Sequence, residues 1–177
     1  AGTCGSNGVC TATKCQAGYY LSNGACVACP AGTYKSASDS KDISSCQPCS
    51  LGTYSNTTAR TSACTACDAG TYASSTGSTT CADCPAGTYQ KSRGQSSCNS
   101  CALGTASSIT KLTAECPSCE GGYYAASTGS TTCAQCPANT YSGAKASACT
   151  NCDEGTSSSA GASACTSLTC ASGKHVY

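Results

Sequence analysis

The stretch CDAGTYASSTGSTTCADC, residues 67–84, is a phrase that the rest of the chain repeats. An opening Cys is followed three residues later by Gly70 and five later by Tyr72. A Ser/Thr/Gly tract then leads to Cys81, and Cys84 begins the phrase again. Opening cysteines recur at 15, 29, 49, 67, 84, 101, 119, 136, 152 and 170, a mean period near 17 residues. A unit that short cannot bury an apolar face alone, so it folds only against its neighbours. The chain reads as a repeat protein.

Composition sharpens this. The 177 residues include no Trp, Phe or Met, and only ten large aliphatic side chains. Such a chain lacks the means to build an ordinary core, and its 21 cysteines must hold it together instead. That cysteine content marks a disulfide scaffold made in an oxidising compartment. Charged residues are 10% of the chain, and Ser and Thr (30 and 25) are almost a third. A net charge of +1 without a Lys/Arg cluster argues against nucleic acid or an anionic membrane as partner. No apolar run approaches the roughly 20 residues that span a bilayer, so no membrane insertion is expected. Without an initiator Met or signal peptide, the chain reads as processed or as a slice of something longer.

Three regions follow from the spacing. Residues 1–28 form an irregular leading module with short loops, 29–165 hold eight tandem repeats of about 17 residues, and 166–177 start a further module. The residue three after each opening Cys is Gly18, Gly32, Gly52, Gly70, Gly87, Gly104, Gly122, Gly155 or Gly173, with Asn139 the exception. Asn best replaces Gly where φ is positive, so the column predicts a turn with a left-handed residue. Tyr stands two places further on, at 20, 34, 54, 72, 89, 124 and 141, and becomes Ala106, Ser157 and His175 in three copies. A Tyr beside a disulfide covers it while the hydroxyl stays wet. Packing is the preferred reading of this ladder over a binding surface. Length variation falls in the Ser/Thr tract, which suggests a loop tip open to insertions.

Two readings of the cysteines compete. Eight C-x2-C pairs allow four zinc sites, but that arrangement strands Cys4, Cys10, Cys15, Cys165 and Cys170, in a chain whose composition is odd for a reducing compartment. The disulfide reading closes each loop on itself: Cys15–Cys26, Cys29–Cys46, Cys49–Cys64, Cys67–Cys81, Cys84–Cys98, Cys101–Cys116, Cys119–Cys133, Cys136–Cys149 and Cys152–Cys165, with Cys4–Cys10 as a tenth. Cys170 is left unpaired or free for an inter-subunit bond. A crossed pattern between neighbouring pairs stays open at this level.

The phrases CPAGTY (29–34 and 84–89), CSLGTY (49–54) and CDAGTY (67–72) resemble ephrin-receptor-like cysteine-rich repeats. They are also similar to the single-disulfide loop of TNF-receptor ectodomains, without the six-Cys modules of those receptors. The likeness covers roughly residues 15–165, and similar arrays occur in surface proteins of ciliates and other protists. It implies a small disulfide-rich repeat fold: an elongated solenoid or rod of short β-hairpin loops, secreted or displayed, with little helix and no conventional hydrophobic core.

No catalytic constellation emerges, and no cofactor or metal is expected. His175 reads as a Tyr substitute and Asp153-Glu154 as a solvated pair in a turn. Asn56-Thr57-Thr58 is an N-glycosylation sequon in a loop tip, and the Ser/Thr tracts are candidate O-glycan carriers. The preferred function is non-enzymatic: an extracellular structural filament or surface-coat fibre whose partners are copies of itself, head-to-tail or lateral. The motif beginning at Cys165 restarts the leading module, which favours such a polymer. The alternative is a cysteine-rich receptor or adhesion ectodomain that binds a protein or glycan. A binding copy should diverge in aromatics or charge. The copy 101–116, with Leu103, Ala106, Ile109 and Leu112, is the nearest and is apolar.

Overall fold

A computed structural model describes residues 2–4, 10–39 and 41–168 of the chain. Cys170, Gly173 and His175, and the side chains of Cys4 and Cys10, lie outside the described residues. The chain divides into two compact units, Ala1–Cys84 with Gln90–Cys98, and Pro85–Tyr89 with Asn99–Tyr177.

The repeats share one plan, which the repeat opened by Cys67 shows; that opened by Cys101 keeps only an isolated bridge, Thr105 to Ser118, and that opened by Cys119 has Tyr123 in place of the turn Thr. Gly70 sits at φ 79° in the third place of a four-residue turn, where the Thr71 N–H donates to the Asp68 carbonyl at 3.1 Å. Positive φ at that place is the type II arrangement, which favours Gly. The Thr71 hydroxyl donates to the same Asp68 carbonyl at 2.8 Å. Thr33, Thr53, Thr88, Thr105, Thr140 and Thr156 each donate a hydroxyl to the first turn carbonyl in this way. The Thr column of the motif thus locks the turn. Thr71–Tyr72 then pairs antiparallel with Ala82–Asp83, the two residues between the closing Cys and the next opening one. Finally the Cys84 N–H donates to the Gly70 carbonyl at 2.9 Å, which hands the chain to the next repeat. The leading module is longer: Tyr19–Ser22 pairs with Ala25–Ala28 across an Asn23-Gly24 turn with both φ values positive, the preferred hairpin geometry.

Among the described residues there are nine two-stranded antiparallel sheets and nine disulfides. Regular helix is confined there to one 3-10 turn, Ile43–Ser45. The bridges run serially from each opening Cys to its closing Cys, with Cα–Cα distances of 5.5–5.8 Å. In the leading hairpin, Cys4 stands opposite Cys10 in the strand register. The opening sulfurs form the core: Cys29, Cys49, Cys67, Cys84, Cys101 and Cys136 are 0% exposed. The large aliphatic residues do not join them, and Leu51, Leu103 and Ile109 stand about half-exposed or more.

Hydrogen bonds tie each repeat to the next. In the first unit the N–H groups of Gly32, Gly52 and Gly70 donate to the carbonyls of Ser55, Ala73 and Gln90. In the second, Gly87, Gly104, Gly122 and Asn139 donate to Ser107, Ala125, Ser142 and Ser158. The accepting residue lies six places after its opening Cys, and this place is buried in every repeat from Lys35 to Ser142.

Two expectations need correction here. The Ser/Thr tract is not wholly a tolerant loop tip. It carries a second column of left-handed residues, Ala59, Gly77, Gly94, Lys111, Gly129, Lys145 and Gly161, with φ of 55–76°. The N–H groups of Ala59, Gly77 and Gly94 donate to the carbonyls of Cys29, Cys49 and Cys67 in the preceding repeat. Those of Gly129, Lys145 and Gly161 do the same to Cys101, Cys119 and Cys136. Nor do repeats touch only their nearest neighbours. The Gly77 carbonyl lies directly over Gly32, Gly94 over Gly52, Gly129 over Gly87, Lys145 over Gly104 and Gly161 over Gly122, each two repeats away. A Cβ at any of those turn glycines would collide with that carbonyl oxygen. The Gly column therefore answers to close approach as well as to positive φ. Asn139 shows the φ requirement alone, at 63°.

Candidate functional site

The copy that diverges in charge is the longest one. The loop Cys29–Cys46 spans 17 positions, and within it Lys35, Asp39, Lys41 and Asp42 place four of the chain's 17 charged residues in eight positions. Lys35 occupies the buried sixth place, where Ser55, Ala73, Gln90, Ser107, Ala125 and Ser142 stand in other repeats. Its side chain is 2% exposed, and a charge so buried must be paired. The ammonium donates to Asp39 Oδ1 at 2.6 Å and to the Tyr19 carbonyl at 2.7 Å. The second acceptor is shared with two other repeats: the Ser142 hydroxyl donates to the Tyr123 carbonyl, and the Ser158 hydroxyl donates to that of Thr140, whereas Ser55 and Gln90 turn to carbonyls of their own loops. Lys35 is thus a charged side chain at a place that holds Ser, Ala or Gln in other repeats, with Asp39 to neutralise it.

Backbone contacts fix this loop on the leading hairpin. The Gly18 N–H donates to the Lys35 carbonyl at 2.8 Å, the Cys15 N–H to Asp39 at 2.8 Å and the Leu21 N–H to Lys41 at 2.9 Å. Asp39 also accepts the Lys41 N–H at 3.1 Å. The Lys35 ammonium, then that N–H, hold the Asp39 carboxyl below the usual carboxylate range. Asp42 caps the Ile43–Ser45 turn by accepting the Ser44 hydroxyl and N–H, which lower its pKa likewise.

Between these walls lies a cavity of about 280 Å³. Lys35, Asp39 and Ser45 form its sheltered side, and Ser36, Lys41 and Gln47 its exposed rim. The lining offers ammonium, hydroxyl and amide groups around one neutralised ion pair, with the Lys41 charge in excess. That set of groups is suited to hydrogen-bonding a polar molecule. Grooves also recur where a Tyr meets the next repeat's bridge: one of about 120 Å³ has Tyr34 beside Ala63 and Cys64, and one of about 280 Å³ has Tyr141 beside Ala164 and Cys165.

The other candidates fall as follows. Asn56, Thr57 and Thr58 are all exposed, so the sequon is accessible. The seven Tyr of the ladder are half-buried. Asp153 and Glu154 are exposed, and the Asp153 carbonyl accepts the Thr156 N–H. In the apolar copy Ala106 is 6% exposed, while Leu103 and Ile109 are 47% and 63% exposed. The sequence reasoning passed over Lys35 and Asp39, although the run KSASDSKD (35–42) in the longest loop was the available signal.

Among the described residues, no helix is long and apolar enough to cross a membrane. No curated protein matches the chain. A family model described as tyrosine-protein kinase ephrin type A/B receptor-like matches residues 40–80, 70–111 and 104–147. These overlapping stretches cover more than half of the sequence, and Lys35 and Asp39 lie just before the first. The serial bridges, the recurring C-x-x-G turn and this threefold match agree: the chain belongs to the ephrin type A/B receptor-like family of cysteine-rich repeats.

Proposed function

We propose that this chain is the repeat region of a secreted or cell-surface ectodomain, non-catalytic, that presents the loop 29–46 to a ligand. The carrying observation is the buried Lys35 paired with a half-buried Asp39 at a polar cavity, in the one loop that departs from the others in length and charge. A repeat that served only as spacer would gain nothing from a charge there, since uncharged Ser, Ala or Gln fills the same buried place in the repeats from Ser55 to Ser142. The serial bridges suit an oxidising, extracellular setting, and the family match favours an ectodomain over the filament. An exposed Asn56 supports a glycan in the following repeat.

The test is the oxidised chain, secreted with its bridges formed, applied to arrays of extracellular proteins and glycans beside a reduced and alkylated control. Saturable binding by the oxidised form alone is the expected result. Binding by neither form, with fibres in the electron microscope, would return the account to a structural polymer.

A further inference from the structure

We infer that the 29–46 cavity takes a carboxylate-bearing sugar of the uronic-acid class. The inference rests on the ectodomain reading and names the ligand chemistry of its site. Charge comes first. Lys35 and Asp39 cancel across 2.6 Å, and the neighbouring Asp42 carboxylate, which does not line the cavity, is taken up by the Ser44 hydroxyl and N–H, so the exposed Lys41 ammonium is the excess charge of the lining. An ammonium at the rim of a pocket with a neutralised floor selects one negative group and gives a second no partner.

Size comes second. At about 280 Å³ the space exceeds what a bare carboxylate fills and falls just below the roughly 300–1,000 Å³ of drug-sized ligands. One pyranose ring is an object of that scale.

Lining chemistry is the third argument. Ser36, Ser44, Ser45 and Gln47 supply hydroxyl and amide groups, with Ala37 as the apolar member. The Ser44 and Ser45 hydroxyls already donate to Asp42, so they face a ligand as acceptors, while the Gln47 amide both donates and accepts. Alternating donors and acceptors suit the hydroxyls of a sugar. Preorganisation completes the case, because the leading hairpin holds Lys35, Asp39 and Lys41 by their carbonyls before any ligand arrives.

The probes are glucuronate, glucose, acetate and sulfate, titrated into the oxidised full chain with backbone amide shifts as readout. Glucuronate should move the amides of Ser36, Lys41, Ser44 and Gln47 with a Kd on the order of 1 mM. Glucose and acetate should bind about tenfold more weakly. Lys41→Gln should weaken glucuronate by about tenfold and leave the weak glucose affinity unchanged. Gln47→Ala should weaken glucuronate without altering acetate. Both side chains lie at the exposed rim, and unchanged amide shifts elsewhere would show that the variants fold. Equal binding of acetate or sulfate would mark an adventitious anion site and overturn the inference, as would unaltered glucuronate affinity in Lys41→Gln or no shift at all. Array binding of the oxidised chain in any of those cases would leave the ectodomain reading standing.

Discussion

Gly87 and Gly155 occupy equivalent turns with nearly equal φ, 79° and 78°. A Cβ at Gly87 would stand 2.9 Å from the Gly129 carbonyl carbon and closer still to its oxygen, whereas one at Gly155 meets nothing within 4 Å. Gly87→Ala and Gly155→Ala therefore share two effects. Both add left-handed strain of about 1–2 kcal/mol, and both lose about 0.4–1 kcal/mol of unfolded-chain entropy, which offsets part of it. Their difference isolates the collision with a backbone group two repeats away, an overpacking cost of about 1–3 kcal/mol. That corresponds to a roughly 5- to 150-fold change in a local opening equilibrium. The reporter is the Gly129 amide, which donates to the Cys101 carbonyl at 2.8 Å. Hydrogen exchange at Gly129 should accelerate by that factor in Gly87→Ala and stay near the parent rate in Gly155→Ala. Equal acceleration in both, or none in Gly87→Ala, would refute the second-neighbour contact as the reason for the Gly column.

Folding lowers the Asp39 pKa below its usual 3.8, so its contribution is fully present above that value and is lost as pH falls through the folded one. In thermal melts at stepwise pH, the advantage of the parent over Asp39→Asn should be complete near neutrality and shrink below about pH 4. Reduction should also be ordered. A thiolate attacks the accessible sulfur, and Cys26 is exposed, whereas Cys46 and Cys116 are 7% and 8% exposed beside fully buried partners. Alkylation trapping during limited reduction should find Cys15–Cys26 opening before Cys29–Cys46 and Cys101–Cys116. Expressed through a eukaryotic secretory pathway, the chain should carry an N-glycan that Asn56→Gln removes, read as a mass difference.

Much of the fold was legible because cysteine spacing is counted along the chain and the bridges are local. Asn139 was informative for the same reason: a lone Asn in a Gly column states the φ requirement without the structure. The second left-handed column escaped, although Gly77, Gly94, Gly129 and Gly161 each stand four residues before a closing Cys. It is counted from the closing Cys, slips to five residues before it at Ala59 and Lys111, and there and at Lys145 is held by residues that rarely take positive φ. Contact at two repeats' remove has no sequence signature, since it depends on how steeply the loops fold back. Lys35 was the costlier omission. Lysine is almost never fully buried unless paired, and the pairing needs Asp39 brought back by a loop whose extra length looked like mere variation.

The most direct test of the account is proteolysis of the oxidised chain under non-reducing conditions at acidic pH, which suppresses exchange, followed by mass analysis of the linked peptides. Nine serial pairs should appear, from Cys15–Cys26 to Cys152–Cys165, each lighter by about two hydrogens than its reduced peptides. A link between members of one C-x2-C pair, a crossed link between repeats, or zinc retained with free thiols would contradict the serial clamp on which every contact above depends.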